Sequence, residues 1–249
     1  MSEINSMTFL NNYMKFGCAV RYETAKTLHE ATIKSKNKRQ IKALYLGVIE
    51  EFASQSEDFC FLVAAHRAKN EQGPWEFILS YDVSYPETKK LLNQLASLNS
   101  AEKIRSFLKI SSINNLTKMA GGHRKKVIKS FFEIKNTADV ILSNRTKNDE
   151  LLVRVHNKIK HGMAVLDEGP GTLFIRDYRE KSKMNRNYGL TVDMSFSETL
   201  IQHMQIAHEA MQALINLYRL TILIDIERKP RKTALDKKII SDFKSGRAF

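Results

Sequence analysis

Apolar residues recur along most of the chain at intervals of three and four, the spacing that puts side chains on one face of an α-helix. Phe9, Tyr13, Phe16 and Val20, with Ala25 and Leu28 beyond them, predict a first long helix over about 6–35, slightly weakened by Gly17. Ile41, Leu44, Tyr45, Val48, Phe52, Phe59, Leu62 and Val63 predict a second over about 37–69 with a wide apolar stripe. Val127, Phe131, Ile134, Ala138 and Ile141 outline a helix over 123–144. Leu152, Val155, Ile159, Met163 and Leu166 outline another over 148–167, which Asn148 or Asp149 can cap and Gly169-Pro170-Gly171 stops. A last long helix is expected over 196–227, with Leu200, Met204, Ala207, Met211, Leu214, Leu217 and Leu220 on one face and Ser195-Phe-Ser-Glu198 read as its capping box. Shorter helices are expected near 84–98, where Ser84, Pro86 and Glu87 form a start signal, and at 101–110 and 113–119.

Period-two patterning is expected in one place. Thr172 to Tyr178 and Tyr188 to Met194 are rich in β-favouring residues, and in the second Leu190, Val192 and Met194 alternate with Thr191 and Asp193. The fold class these patterns predict is all-α: a helical bundle of long helices with one inserted β-hairpin. One domain is expected over 1–227, with the hairpin at about 172–194, followed by a basic C-terminal tail over 228–249.

Charge changes this picture most. The chain carries 40 Lys and Arg against 27 Asp and Glu, a formal net charge of +13, so RNA or another polyanion is the expected partner. Three segments concentrate it. Arg124, Lys125 and Lys126 follow Gly121-Gly122; Arg176, Arg179, Lys181, Lys183 and Arg186 crowd the hairpin; Arg228, Lys229, Arg231 and Lys232 open the tail. Each reads either as a phosphate-binding surface or as a solvated face, and hairpin charges also block edge pairing.

Other chemistries are unsupported. No glycine-rich nucleotide loop, serine or cysteine hydrolase motif, or set of carboxylates at metal-ligand spacing is present, and His203 and His208 stand five apart on different helix faces, so neither a metal nor a cofactor is expected. Cys18 and Cys60 are too few for a disulfide framework. The opening Met-Ser-Glu-Ile-Asn lacks a basic start followed by an apolar run, and the apolar stretch 213–226 is broken by Asn216, Arg219 and Asp225, so a cytoplasmic protein without a membrane segment is expected.

The most distinctive chemistry lies on the 148–167 stretch. Arg154, Asn157 and His161 are spaced three and four apart, which stacks a fixed cation, an amide and an imidazole along a stripe opposite the apolar one. Arg154, six intervening residues and His161 resemble the R-x4-6-H signature of HEPN domains, helical bundles many of which are metal-independent ribonucleases of toxin-antitoxin, abortive-infection and CRISPR-associated systems. In the commonest form of that motif a polar residue follows the arginine and three residues separate it from the histidine. Asn157 and His161 keep the second spacing; His156 stands in the arginine's place, and Arg154 lies two residues earlier.

The resemblance implies an endoribonuclease of a toxin or phage-defence type. His161 would move protons, Arg154 would hold phosphate in a two-pronged contact and Asn157 would orient the imidazole or substrate. His156 is an additional candidate, and Glu51, at the edge of the second helix's stripe, would charge-balance the site or simply pair with a nearby base. One histidine leaves a second proton-transfer role open, so a homodimer with paired sites is expected, with an antitoxin or other regulatory protein as a further partner. The competing reading is a catalytically silent helical module that binds RNA or an acidic protein.

Overall fold

The computed structural model describes residues 12–67, 85–146, 166–167, 172–177, 186–191 and 193–244, and the protein is helical. A π-helical turn, Tyr13–Gly17, leads into α1 (Cys18–Lys34), followed by α2 (Lys38–Arg67), α3 (Tyr85–Ala96), α4 (Ala101–Phe107), α5 (Ile113–Met119) and α6 (Arg124–Thr146). After three short strands come α7 (Met194–Arg228) and α8 (Ala234–Lys244). Among the described residues no helix is long and apolar enough to cross a membrane.

The helices begin where short polar side chains satisfy otherwise orphaned amides. Asn37 Oδ1 accepts from the Arg39 and Gln40 amides at 3.0 and 3.3 Å, and Ser100 and Ser112 cap α4 and α5 in the same manner. The start of α7 differs from its expected box. Its cap is Asp193, whose Oδ1 accepts from the Phe196 amide at 2.8 Å, so the helix opens at Met194 rather than after Ser195. Ser197, in the first turn of α7, is buried and shares a 2.9 Å hydrogen bond with His29 Nδ1. α8 opens with a reciprocal box in which the Asp236 amide donates to Thr233 Oγ1 and the Thr233 amide donates to Asp236 Oδ2.

Two compact units emerge from the chain's internal contacts: residues 1–19, 58–139 and 207–249 form one, and 20–57 and 140–206 the other. In the second unit Ala25, Tyr45, Val48, Ile49, Phe52, Leu200 and Met204 form a buried cluster, with Tyr22, Leu28, Ile41, Leu46, Phe196 and Ile201 packed against it. Each fully buried large side chain contributes about 1.5–3 kcal/mol. Gln55 Nε2 donates to the Met204 carbonyl at 3.2 Å inside this unit, and Arg21 pairs with Glu51 at 3.2 Å.

The first unit buries Phe59, Leu62 and Val63 of α2, Leu92 and Leu95 of α3, and Ile104 and Leu116 of the short helices. From α6 it buries Val127, Phe131, Ile134 and Ala138, and from α7 Met211, Leu214 and Leu217, the positions expected from their spacing. The first helix follows its expected stripe at Ala25, which is buried, and Leu28, which packs against the core, but not nearer its start. Phe16 is 72% exposed and Val20 is also exposed, whereas Cys18 and Thr32 are buried. A π-helical turn adds about one residue to the local repeat, and one residue rotates everything beyond it by about 100° relative to a straight α-helix.

The extended segments lie in the second unit. Thr172–Asp177 (β2) and Arg186–Thr191 (β3) run antiparallel with Thr172 opposite Thr191 and Asp177 opposite Arg186, and Leu166–Asp167 (β1) pairs with β2 on its other edge. β1 corrects the expected extent of the 148–167 helix. Leu166, assigned by periodicity to a helical core face, sits in a strand opposite Phe174. Pairing with β2 gives its backbone the partners that a last helical turn would have supplied.

Candidate functional site

α5 ends in a turn that sets the direction of α6. The Gly121 amide donates to the Lys118 carbonyl at 3.3 Å and the Gly122 amide to the Thr117 carbonyl at 2.8 Å, with φ of 65° and 87° at the two glycines. This paired closure of a helix end needs a left-handed residue just past the helix, which glycine adopts without a Cβ penalty. It delivers His123, Arg124, Lys125 and Lys126 to the start of α6, and all four are exposed. Arg124 Nη1 donates to Asn114 Oδ1 at 2.7 Å. The partner is a neutral amide, so the guanidinium is oriented while its charge stays available.

The tail cations are arranged differently. Arg228 ends α7 and is exposed, as are Arg231 and Lys232, but Lys229 Nζ donates to Asp236 Oδ1 at 3.0 Å and is partly neutralised. That same carboxylate is held below its ordinary range by its bond from the Thr233 amide and then by Lys229. Arg176 lies within β2 opposite Asn187, and Arg186 begins β3. Arg179, Lys181 and Lys183 lie outside the described residues, and so do Arg154, His156, Asn157 and His161. Glu51 is described: its carboxylate is 18% exposed and bound to Arg21.

A cavity of about 380 Å³ lies in the same unit as the Gly121-Gly122 turn. Its apolar walls come from Met119 and Ala120 at the end of α5, Val127 of α6, and Ala213, Leu217 and Leu220 of α7. Among the described residues its lining also includes His123, Lys126 and Ser130 at the start of α6 and Asn216 and Arg219 of α7. Arg219 is the residue that sequence reasoning passed over. Taken for a break in an apolar run, it is only 1% exposed, with Nη1 donating to Asn216 Oδ1 at 3.1 Å and lying 3.8 Å from Met14 Sδ. Burial pulls its pKa down to about 10, which still leaves it a cation at neutral pH. The signal that could have found it is its spacing, four residues after Ile215 and four before Leu223, both buried.

Two histidines hold structural positions. His29 bonds Ser197 in the second unit, and His208 Nδ1 donates to the Cys18 carbonyl at 2.9 Å in the first, which requires that this nitrogen carry the proton. Among the described residues no three His, Cys, Asp or Glu side chains gather as a metal-ligand set. No family model, curated protein or solved structure matches the chain.

Proposed function

We propose that this protein binds RNA through its basic surface. The observation that carries this reading is the exposed cationic run at the start of α6. Arg124, Lys125 and Lys126 face solvent together, and among the described residues no carboxylate pairs with them. Cations left open beside a helix start suit phosphate oxygens, because they add to the positive end of the helix dipole. Arg228, Arg231 and Lys232 extend the basic surface, with Lys229 a weaker contributor because of Asp236. Arg176, Arg179, Lys181, Lys183 and Arg186 supply a second concentration of basic residues along the sequence. The test is filter binding of a short single-stranded RNA across a salt series. Affinity falls steeply with salt; Arg124→Gln and Lys125→Gln each weaken it alike for unrelated sequences and lower the log–log salt slope by about one. Binding that ignores salt, or variants that bind as well as the parent, would refute the reading.

The spacing of Arg154, Asn157 and His161 favours a second step, in which the bound RNA is cut in the manner of a HEPN-type ribonuclease. Cleavage without a metal needs a base to take the ribose 2′-hydroxyl proton, an acid to protonate the departing 5′ oxygen and a cation for the phosphorane charge. His161 fills one proton-transfer role and Arg154 the cationic one; a second chain's His161 in a homodimer fills the other. Incubation with single-stranded RNA in EDTA should yield fragments that His161→Ala abolishes while RNA affinity is kept. Intact RNA with the parent protein would leave a binding module.

A further inference from the structure

We propose that α6 holds single-stranded RNA by stacking an unpaired base on the Phe132 ring while Lys125 and Lys129 meet the flanking phosphates, an inference that rests on the RNA-binding reading. Lys125, Lys129, Phe132 and Asn136 fall within about 60° of one another around the helix, and all four are exposed. Val127 and Ile134, about 140–160° round from Phe132, are buried and mark the core side. Phe132 therefore stands in the middle of the solvated face, outside the apolar stripe of its own helix, with 37% of its surface open. It is a ring set among cations.

The chemistry of this face selects its occupant. Lys125 and Lys129 lie one turn apart, and Phe132 follows Lys129 by three residues, so each is the helix neighbour of the next, about 5–6 Å away at Cβ. Lys129 is 77% exposed and pairs with Glu133 at 3.2 Å, a surface contact weak enough for a phosphate to compete with. A single strand supplies a partner for both kinds of group: phosphates for the ammoniums, and for the ring a base, since every base has a π-face. Asn136, one turn beyond Phe132, adds a donor and an acceptor for a base edge. A duplex keeps its bases stacked inside and offers this face phosphates and ribose, leaving Phe132 without a partner.

Fluorescence anisotropy tests the assignment, with the full chain titrated into a labelled single-stranded RNA of about twelve nucleotides, an abasic strand of equal length and the corresponding duplex. Phe132→Ala should weaken the single strand by about fivefold to a hundredfold, the range that one stacked base is worth, and leave the salt slope, the abasic strand and the duplex unchanged. Phe132→Trp should bind the single strand at least as tightly as the parent. Phe132→Leu, apolar but without a π-face, should bind it as weakly as Phe132→Ala. Lys125→Gln should weaken all three nucleic acids alike and lower the slope. Circular dichroism should be unchanged in each variant, since the positions are exposed. The inference alone is overturned if RNA binds with a steep salt dependence while Phe132→Ala matches the parent, or if leucine serves as well as tryptophan. It is equally overturned if Phe132→Ala dissociates a dimer in sedimentation and RNA affinity holds, which would assign the ring to a second copy of the chain. Absence of binding by all three nucleic acids overturns the RNA reading and this inference together.

Discussion

The Glu51 carboxylate lies 3.2 Å from the Arg21 guanidinium, joining α1 to α2 through side chains 40% and 18% exposed for Arg and Glu respectively. A pair in this setting is partly screened, so its coupling is modest. A double-mutant cycle of Arg21→Ala and Glu51→Ala by urea denaturation should give a coupling of about 0.5–1 kcal/mol. If Glu51 instead serves a distant cationic site, the single change will reduce RNA cleavage beyond its effect on stability.

Lys109 adopts a left-handed conformation, φ 54°, where α4 closes through Lys109 N–H to Ser106 O and Ile110 N–H to Arg105 O, each 3.1 Å. The geometry matches that at Gly121, but with a Cβ present. Lys109→Gly should therefore stabilise the protein by about 1 kcal/mol, read as an increased urea midpoint at constant slope. A decrease would show that the lysine side chain contributes more than its backbone strain costs.

At Gly17 an added Cβ would fall 2.5 and 2.6 Å from two ring carbons of Tyr13. Gly17→Ala must displace that ring or the π-helical turn beneath it. Thermal denaturation should show a loss of about 1–3 kcal/mol, most of it absent in a Tyr13→Ala background where the ring is gone.

Burial lowers the pKa of His203 from 6.5, so the folded protein resists protonation there and the unfolded chain does not. The sign follows directly: the unfolded state binds more protons in this range, and stability falls as pH falls. The contribution is complete above pH 6.5 and is lost on descending through the folded-state value. Stability measured between about pH 7.5 and pH 5 should drop, and His203→Asn should flatten part of that drop. An unchanged slope in the variant would assign the acid sensitivity elsewhere.

Cys18 and Cys60 are not in a disulfide and are each 1% exposed, and burial, followed by the nearby Asp58 charge, pushes the Cys18 thiol up to about 12. The reactive thiolate at Cys18 is thus about 10³-fold scarcer than in the unfolded chain. Iodoacetamide should leave both cysteines unmodified in native buffer and label them at the rate of unfolding in urea. Fast labelling of Cys18 in the native state would contradict its placement.

Much of the helical architecture was legible from the chain alone. The stripes Val127-Phe131-Ile134-Ala138 and Met204-Ala207-Met211-Leu214 are buried as their spacing requires, since an apolar face three or four residues apart has no stable place except against another element. The structure adds caps at Asn37, Ser100 and Ser112, where an amide at a helix start is satisfied by an adjacent short polar side chain. The candidate cations at 124–126 were legible in the same sense: a charged run after a glycine turn seldom has anywhere to go but solvent.

Other features depended on partners distant in sequence. The π-helical turn put Phe16 on the outside, a phase change that periodicity cannot anticipate. Asp193 rather than Ser195 starts α7; Ser197, two residues farther on, bonds His29, 168 positions away. Leu166 left a helical pattern to pair with β2. Arg219 is the clearest case. Composition presents it as a flaw in an apolar helix, yet the packing of α5, α6 and α7 leaves a space at that point and sets Lys126 and Asn216 around it. Spacing states which residues share a face. Which opposing face they meet, and whether the fit leaves a gap, is decided by side-chain shapes across elements that only folding brings together.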